Sequence, residues 1–417
     1  MSTRYRALIL LLLFPLLAAA CGSTTPAATS VPTAVTQIAL GATNTPLPPT
    51  ATPAPPPASA TPRPWIEEDV TFPFGPAELF GILTLPGSEG PYPAIVLISG
   101  SADPATGVRS GASSRYHIDH ARQMVRSGFA VLRYDPLGVG QSTGERGFES
   151  LDGRTEEAMA ALHYLQSRPD IRPDRIGLWG ASQGAWVITM AAAAFSEDVA
   201  FLIAVSGSGV SVAEQQAYST QAQSRAVGLP EQDVARAALF GRLLIDWQLA
   251  DPIYRQVNEA DALALGDGPW ARFSALVYEP GEISPAEGLE QGIEILRSIQ
   301  DEPWARFLYV KELLLPQLES IPPEQVAAVR VAAGRSLLND PEDHLTLVRC
   351  PLLAFFGDED LLQPTERSAA LYDQHLAAAG NKAYEIVVFP GVGHGIGLWT
   401  PGYRETLSGW LDHLYSE

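Results

Sequence analysis

Short, largely apolar runs recur along this chain at Ala94–Ile98, Phe129–Tyr134, Arg175–Trp179, Ala200–Val205, Leu352–Phe356 and Tyr384–Phe389, with stretches of helical length between them. A run of that kind has no polar face to give to water, so it predicts a parallel strand covered on both sides. Alternation of such strands with helices predicts an α/β fold with a doubly wound, mainly parallel sheet. Two earlier segments, Asp69–Phe74 and Glu78–Leu85, are parted by Gly75-Pro76 and closed by Pro86-Gly87, which predicts an antiparallel start to the same sheet. Helices are expected near 113–126, 152–168, 183–195, 365–379 and 401–415.

The alternation breaks once. Between about 210 and 343 the pattern is helical with little β signal, and aromatics are frequent: Trp247, Tyr254, Trp270, Phe273, Tyr278, Trp304, Phe307 and Tyr309. Because strands resume beyond it, this stretch reads as a helical cap inserted into one domain spanning 65–417. Within it Pro269-Trp270-Ala271-Arg272-Phe273 recurs as Pro303-Trp304-Ala305-Arg306-Phe307. Two copies are too few for a repeat array and read as two similar helix starts.

The first 64 residues belong to another class. Arg4 and Arg6 precede an apolar run ending in Ala18-Ala19-Ala20, as in a secretory signal. Cys21 follows directly, with Gly22-Ser23 after it, and this resembles the lipobox of bacterial lipoproteins, in which the cysteine is acylated. Residues 22–64 hold eleven prolines and ten threonines with Arg63 as the one charge, and so cannot bury enough apolar area to fold. They are expected to act as an extended tether, reaching at most on the order of 130 Å at ~3.1 Å per residue.

The expected address is therefore outside the cytoplasm, on a membrane held through lipid on Cys21. The net charge of −20 argues against nucleic acid, whose binding needs clustered Lys and Arg. Two cysteines, Cys21 and Cys350, exclude a disulfide scaffold, and Cys350 is expected to be buried and inert.

Chemistry enters at Gly180-Ala181-Ser182-Gln183-Gly184, which lies between a strand and a helix. That context is the one a nucleophile elbow requires, with the serine on a strained turn above the sheet. A serine hydroxyl needs a base to take its proton. Of seven histidines, His394 stands in a glycine-rich loop, Gly391–Gly395, after the last strand, whereas His117, His120, His163, His375 and His413 fall in expected helices and His344 has no such loop. A carboxylate must fix the imidazole, and both Asp358 and Asp360 follow the strand 352–356. Ser99, Ser101, Ser206 and Ser208 lack the flanking glycines of an elbow. Asp135 and Arg133 read as structural.

From about Trp65 to Glu417 the chain resembles the α/β-hydrolase superfamily, in particular secreted bacterial serine esterases related to prolyl-oligopeptidase-type hydrolases. The residues that carry this are Ile98-Ser99-Gly100-Ser101, Leu132–Asp135 leading to Gly138-Val139-Gly140-Gln141-Ser142, the serine elbow, Gly357 to Asp360 with Pro364, and the Gly-His loop. The resemblance implies the α/β-hydrolase fold and a catalytic triad of Ser182, Asp360 and His394. The family spacing from glycine through acid to proline favours Asp360 over Asp358. It implies an oxyanion hole made of backbone N–H groups of Gln183 and of the Gly100-Ser101 turn, with no metal or organic cofactor.

Two departures stand out. Ala102-Asp103-Pro104 replaces Gly-Pro-Gln-Asp, and Asp135-Pro136-Leu137-Gly138 replaces Asp-Arg-Gly, removing a charge that commonly holds that loop. The expected function is a carboxylesterase acting on a small-molecule ester through an acyl-enzyme. A peptidase or amidase with the same triad is the alternative, and a non-catalytic surface-binding lipoprotein is a third reading that the intact triad disfavours.

Overall fold

Side chains alternate across a strand, and in this sheet the alternation separates two cores. Along β3 (Tyr92–Ile98), Ala94, Val96 and Ile98 face one layer of helices, and Ile95 and Leu97 face the other. The same division runs through β5 (Ile171–Ala181), where Ile176 and Leu178 part from Trp179, and through β7 (Leu352–Gly357), where Leu352, Ala354 and Phe356 part from Leu353 and Phe355. Apolar residues are therefore needed at consecutive positions, which is why these strands read as unbroken hydrophobic runs. The computed structural model describes residues 65–415 apart from 88, 102–108, 145–149, 250–268 and 279–280. The signal stretch, Cys21, the tether, Ala102-Asp103-Pro104 and Tyr254 lie outside the described residues.

Among those residues eight strands form one sheet in the order β1-β2-β4-β3-β5-β6-β7-β8. As expected, β1 (Ile66–Phe74) and β2 (Ala77–Leu85) pair antiparallel, with Gly75 at φ 56° in the turn. β2 is also antiparallel to β4 (Ala130–Tyr134), and every later pairing, through β6 (Leu202–Val205) to β8 (Tyr384–Phe389), is parallel. The helices α2 (Leu151–Gln166), α3 (Gln183–Ala194) and Thr365–Ala378 cover one face, and α1 (Arg115–Arg126) with Tyr403–His413 covers the other. β5 begins earlier than the sequence suggests, at Ile171, because Tyr92 N–H donates to Asp170 and draws that segment to the edge of β3.

The stretch between β6 and β7 holds helices and no strand among the described residues: α4 (Val212–Ala226), α5 (Glu231–Leu249), then Pro269–Tyr278, Pro285–Ile299 and Val326–Leu337. It has a core of its own, in which Phe240 stacks on Phe273 at 4.9 Å between ring centres and Trp304 and Trp247 pack beside them. Most of the insertion's described aromatics are thus spent on its own packing. The repeated Pro-Trp-Ala-Arg-Phe does not start two alike helices. After Pro269 an α-helix follows, whereas Ala305–Leu308 is a single 3₁₀ turn ending in Tyr309 at φ 48°, with a π-helical segment at Val310–Leu314. Cys350 is half-buried, and burial pushes its thiol up to about 12, so it stays protonated and unreactive.

On the face away from the insertion, α1 buries His117 and His120 against Trp179, with Tyr116 and Tyr403 beside His120. Burial lowers both pKa values to about 4; the charge on His120 and, after it, that of Arg133 reinforce this at His117, and the bond to the Tyr116 backbone and then Asp119 oppose it at His120. The fold therefore favours the neutral rings, and the unfolded chain binds more protons wherever pH lies between about 4 and 6.5. Stability is fully present above 6.5 and is lost as pH falls toward 4, by on the order of 3 kcal/mol for each histidine at about 1.4 kcal/mol per pH unit. The denaturation midpoint should fall on acidification through that window, and His120→Gln should flatten the dependence by close to half. An unchanged slope in that variant would show that the loss of stability arises elsewhere.

Candidate active site

The strand order brings the ends of β5, β6, β7 and β8 to one edge, and the loops that leave them hold the residues singled out above. Ser182 lies between β5 and α3 at φ 54°, ψ −121°, a conformation that L-residues rarely adopt. The two neighbouring glycines make this turn possible. A β-carbon on Gly184 would stand 2.7 Å from the carbonyl oxygens of Ile98 and Ser99, and one on Gly180 would strike the carbonyl of Gly184. Ser182 N–H donates to Val205 O at 2.7 Å, which pins the turn to the end of β6. Its hydroxyl is buried and makes no hydrogen bond among the described residues. Bonds from a nucleophile to its base commonly tighten only once substrate is bound.

Asp360 and His394 do meet. Nδ1 of His394 lies 2.8 Å from Oδ2 of Asp360, whose side chain is 1% exposed against 14% for the ring. A carboxylate only accepts, so in the neutral ring this bond places the proton on Nδ1 and leaves Nε2 its lone pair. The other carboxylate oxygen of Asp360 accepts the N–H groups of Leu362 and Gln363, at 2.7 and 3.0 Å. Asp358 points elsewhere, accepting Gly391 N–H at 2.7 Å and so bracing the base of the histidine loop.

Residues outside the motifs complete this arrangement. From α4, Tyr218 donates to Asp360 O at 2.8 Å and Gln215 donates to Leu362 O at 2.7 Å, tying the insertion to the acid loop. Ser206 donates to His394 O at 2.8 Å and itself sits at φ 50°. The described non-glycine residues at positive φ are Ser182, Ser206, which bonds to His394 O, and Tyr309, which lines the cavity beside His394. Left-handed strain costs on the order of 1–3 kcal/mol per residue and gathers where function requires it.

The Gly100-Ser101 turn stands beside the serine: a β-carbon on Gly100 would lie 3.4 Å from Ser182 Cβ and 4.0 Å from Ser182 Oγ. The segment after β4 lacks the usual arginine and is held instead by Asp135. Its carboxylate accepts Ala112 N–H at 2.7 Å and Gln141 N–H at 2.9 Å, and its carbonyl accepts Ser142 Oγ–H. Arg133 bonds Ala112 O and Glu67, and so is structural as expected. Among the other serines weighed, Ser208 is buried and bonds to Val210.

A cavity of about 470 Å³ opens on His394, between α4, the 306–312 turn and the acid loop. Ala226, Val227, Phe307, Leu361 and Leu362 give it an apolar wall, and Arg306, Tyr309, Glu312 and Glu359 add polar atoms.

The family model for X-Pro dipeptidyl-peptidases (S15 family) matches residues 79–274, from β2 through the serine elbow into the insertion. Over that stretch, just under half of its length, the chain is similar to a family of hydrolases. The chain is 22% identical over 265 residues to an uncharacterised 31.7 kDa Escherichia coli protein of the traX-finO intergenic region, covering 64% of this chain and 74% of that protein. It is 38% identical over 89 residues to the polyketide transferase grgF of a Penicillium species, covering 21% of this chain and 30% of the relative. Among solved structures it is similar to DcsB in complex with a substrate analogue, at 18% identity and a TM-score of 0.48, covering 84% of this chain and all of that chain.

Proposed function

We propose that this chain is a serine hydrolase, a carboxylesterase working outside the cytoplasm, with Ser182 as nucleophile, His394 as base and Asp360 as the carboxylate that orients it. The observation that carries the reading is the 2.8 Å Asp360–His394 bond on the sheet edge that also presents the strained Ser182. Ser182 Oγ attacks the ester carbonyl while Nε2 of His394 takes its proton, and the carbonyl pair moves to an oxyanion held by backbone N–H groups. The alkoxide leaves with the proton that His394 returns, forming the acyl-enzyme. Water repeats the sequence and releases the acid.

Substrate size follows from where the cavity lies. It touches His394 and the acid loop, and none of its lining residues comes from 99–101 or 182–183. The histidine protonates the leaving group, so the space beside it receives the alcohol rather than the oxyanion, and its apolar wall suits an aryl or long alkyl alcohol. Val227→Trp should lower kcat/KM about tenfold for esters of bulky alcohols and leave methyl esters of the same acid within about twofold. Equal loss on both sets would place the alcohol elsewhere.

A peptidase reading is the second, favoured by the match to the X-Pro dipeptidyl-peptidase family. Treatment with a fluorophosphonate tests the shared chemistry: label on Ser182 supports it, and an unlabelled active protein overturns it. Parallel assays on aryl esters and on X-Pro arylamides then divide the two readings.

The lipobox-like Cys21 supports a lipid tether. Cys21→Ser should move the protein from the detergent-soluble membrane fraction to the aqueous one or leave it unprocessed. A wild-type chain free of lipid mass would remove the tether from this account.

A further inference from the structure

We infer that Arg154 is a positioning residue for the oxyanion hole, holding both of its walls through one guanidinium. This rests on the serine-hydrolase mechanism proposed above. Arg154 projects from the first turns of α2 and is 1% exposed. One terminal nitrogen donates to the side-chain oxygen of Gln183, and the other donates to Ser99 O and, at 3.0 Å, to Gly100 O. These partners lie 29, 55 and 54 residues away in sequence and belong to the two segments that flank Ser182.

Peptide geometry turns these bonds into an orienting device. In a trans peptide the C=O and the following N–H point in opposite directions within one plane. The carbonyl of Ser99 shares its plane with Gly100 N–H, and that of Gly100 shares its plane with Ser101 N–H. Drawing both carbonyls onto Arg154 turns both N–H groups away from α2, on the segment where Gly100 abuts Ser182. Holding the Gln183 side chain fixes the residue whose own N–H is the opposing donor. A planar fork with several donors suits three acceptors at once, and a lysine ammonium on a flexible stem does not. The three acceptors are uncharged groups on the two segments beside Ser182.

The test compares Arg154→Lys, Arg154→Met and Gln183→Met, the last keeping its backbone N–H and losing only the side-chain oxygen. Active-site titration with a fluorophosphonate first counts intact sites. If neither wild type nor variants take up label, the serine-hydrolase reading fails and the Arg154 role falls with it. With full labelling, Arg154→Lys should lower kcat about 10- to 100-fold with KM within about threefold, since misplaced donors forfeit stabilisation made in the transition state.

Affinity for a trifluoromethyl ketone should weaken in parallel. That ketone accepts Ser182 Oγ at its carbonyl carbon, sends the carbonyl pair to oxygen and the serine proton to His394, and so places a real oxyanion in the hole. Adding Gln183→Met to Arg154→Lys should cost less than the product of the single effects, because both act through one bond network.

Wild-type kcat and ketone affinity in a fully labelled Arg154→Lys would overturn the proposal, and so would independent, multiplying losses in the double variant. If Arg154→Met does not fold, Arg154→Lys and Gln183→Met still decide the matter.

Discussion

Replacing Ser182 with alanine should leave a folded protein whose ester hydrolysis is lower by about 10³-fold or more, because only binding and the oxyanion donors remain to accelerate attack by water. The fold should tolerate the change. The hydroxyl makes no hydrogen bond among the described residues, so its removal orphans no partner. The backbone bond that pins the turn, Ser182 N–H to Val205 O, does not involve the side chain. Alanine must still adopt φ 54°, and glycine would adopt it more easily. If the serine serves the turn, Ser182→Gly should therefore be the more stable variant and Ser182→Ala the less stable, with both inactive. Thermal melts with initial rates on one aryl ester check this, and activity within tenfold of wild type in either variant would assign the nucleophile to another residue.

How much of this was legible in the sequence depended on what each feature needs. The parallel strands were visible because a strand covered on both faces must be apolar at consecutive positions, as Ala94 to Ile98 are. Ser182 and His394 were visible because their loops need glycines: Gly184 lies where a β-carbon would meet two carbonyl oxygens. Such steric demands act within a few residues and leave a local mark. Arg154, Tyr218 and Gln215 left none. Each is a single polar residue in a helix, and its meaning comes from a partner 29 to 147 residues away.

The insertion was opaque for a different reason. The four residues after Pro269 and after Pro303 are the same, yet one set enters an α-helix and the other a 3₁₀ turn broken by the left-handed Tyr309. Shared local sequence cannot decide between them, since propensity is a weak prior that tertiary context overrides, and Trp304 packs beside Phe240. Nor could aromatic content separate wall from core, since Phe307 lines the cavity while Phe273 is buried among its neighbours.

The choice between two neighbouring carboxylates gives the largest expected contrast. Asp358 and Asp360 leave the same strand end and differ in what they face: Asp360 reaches Nδ1 of His394, and Asp358 reaches the backbone of Gly391. Asp360→Asn should cost up to about 10⁴-fold in kcat while keeping the fold. An amide can donate to Nδ1 and so hold the proton on Nε2, the wrong tautomer for accepting from serine, and it cannot balance the imidazolium formed during attack. The amide oxygen can still accept the N–H groups of Leu362 and Gln363, so the acid loop should stay in place. Asp358→Asn should cost less than about tenfold, because its oxygen can continue to accept Gly391 N–H and it touches no reacting atom. Measuring kcat for both at one pH, with circular dichroism to verify the fold, separates the roles. A crippled Asp358→Asn beside an active Asp360→Asn would mean that the histidine loop turns toward the other acid during catalysis.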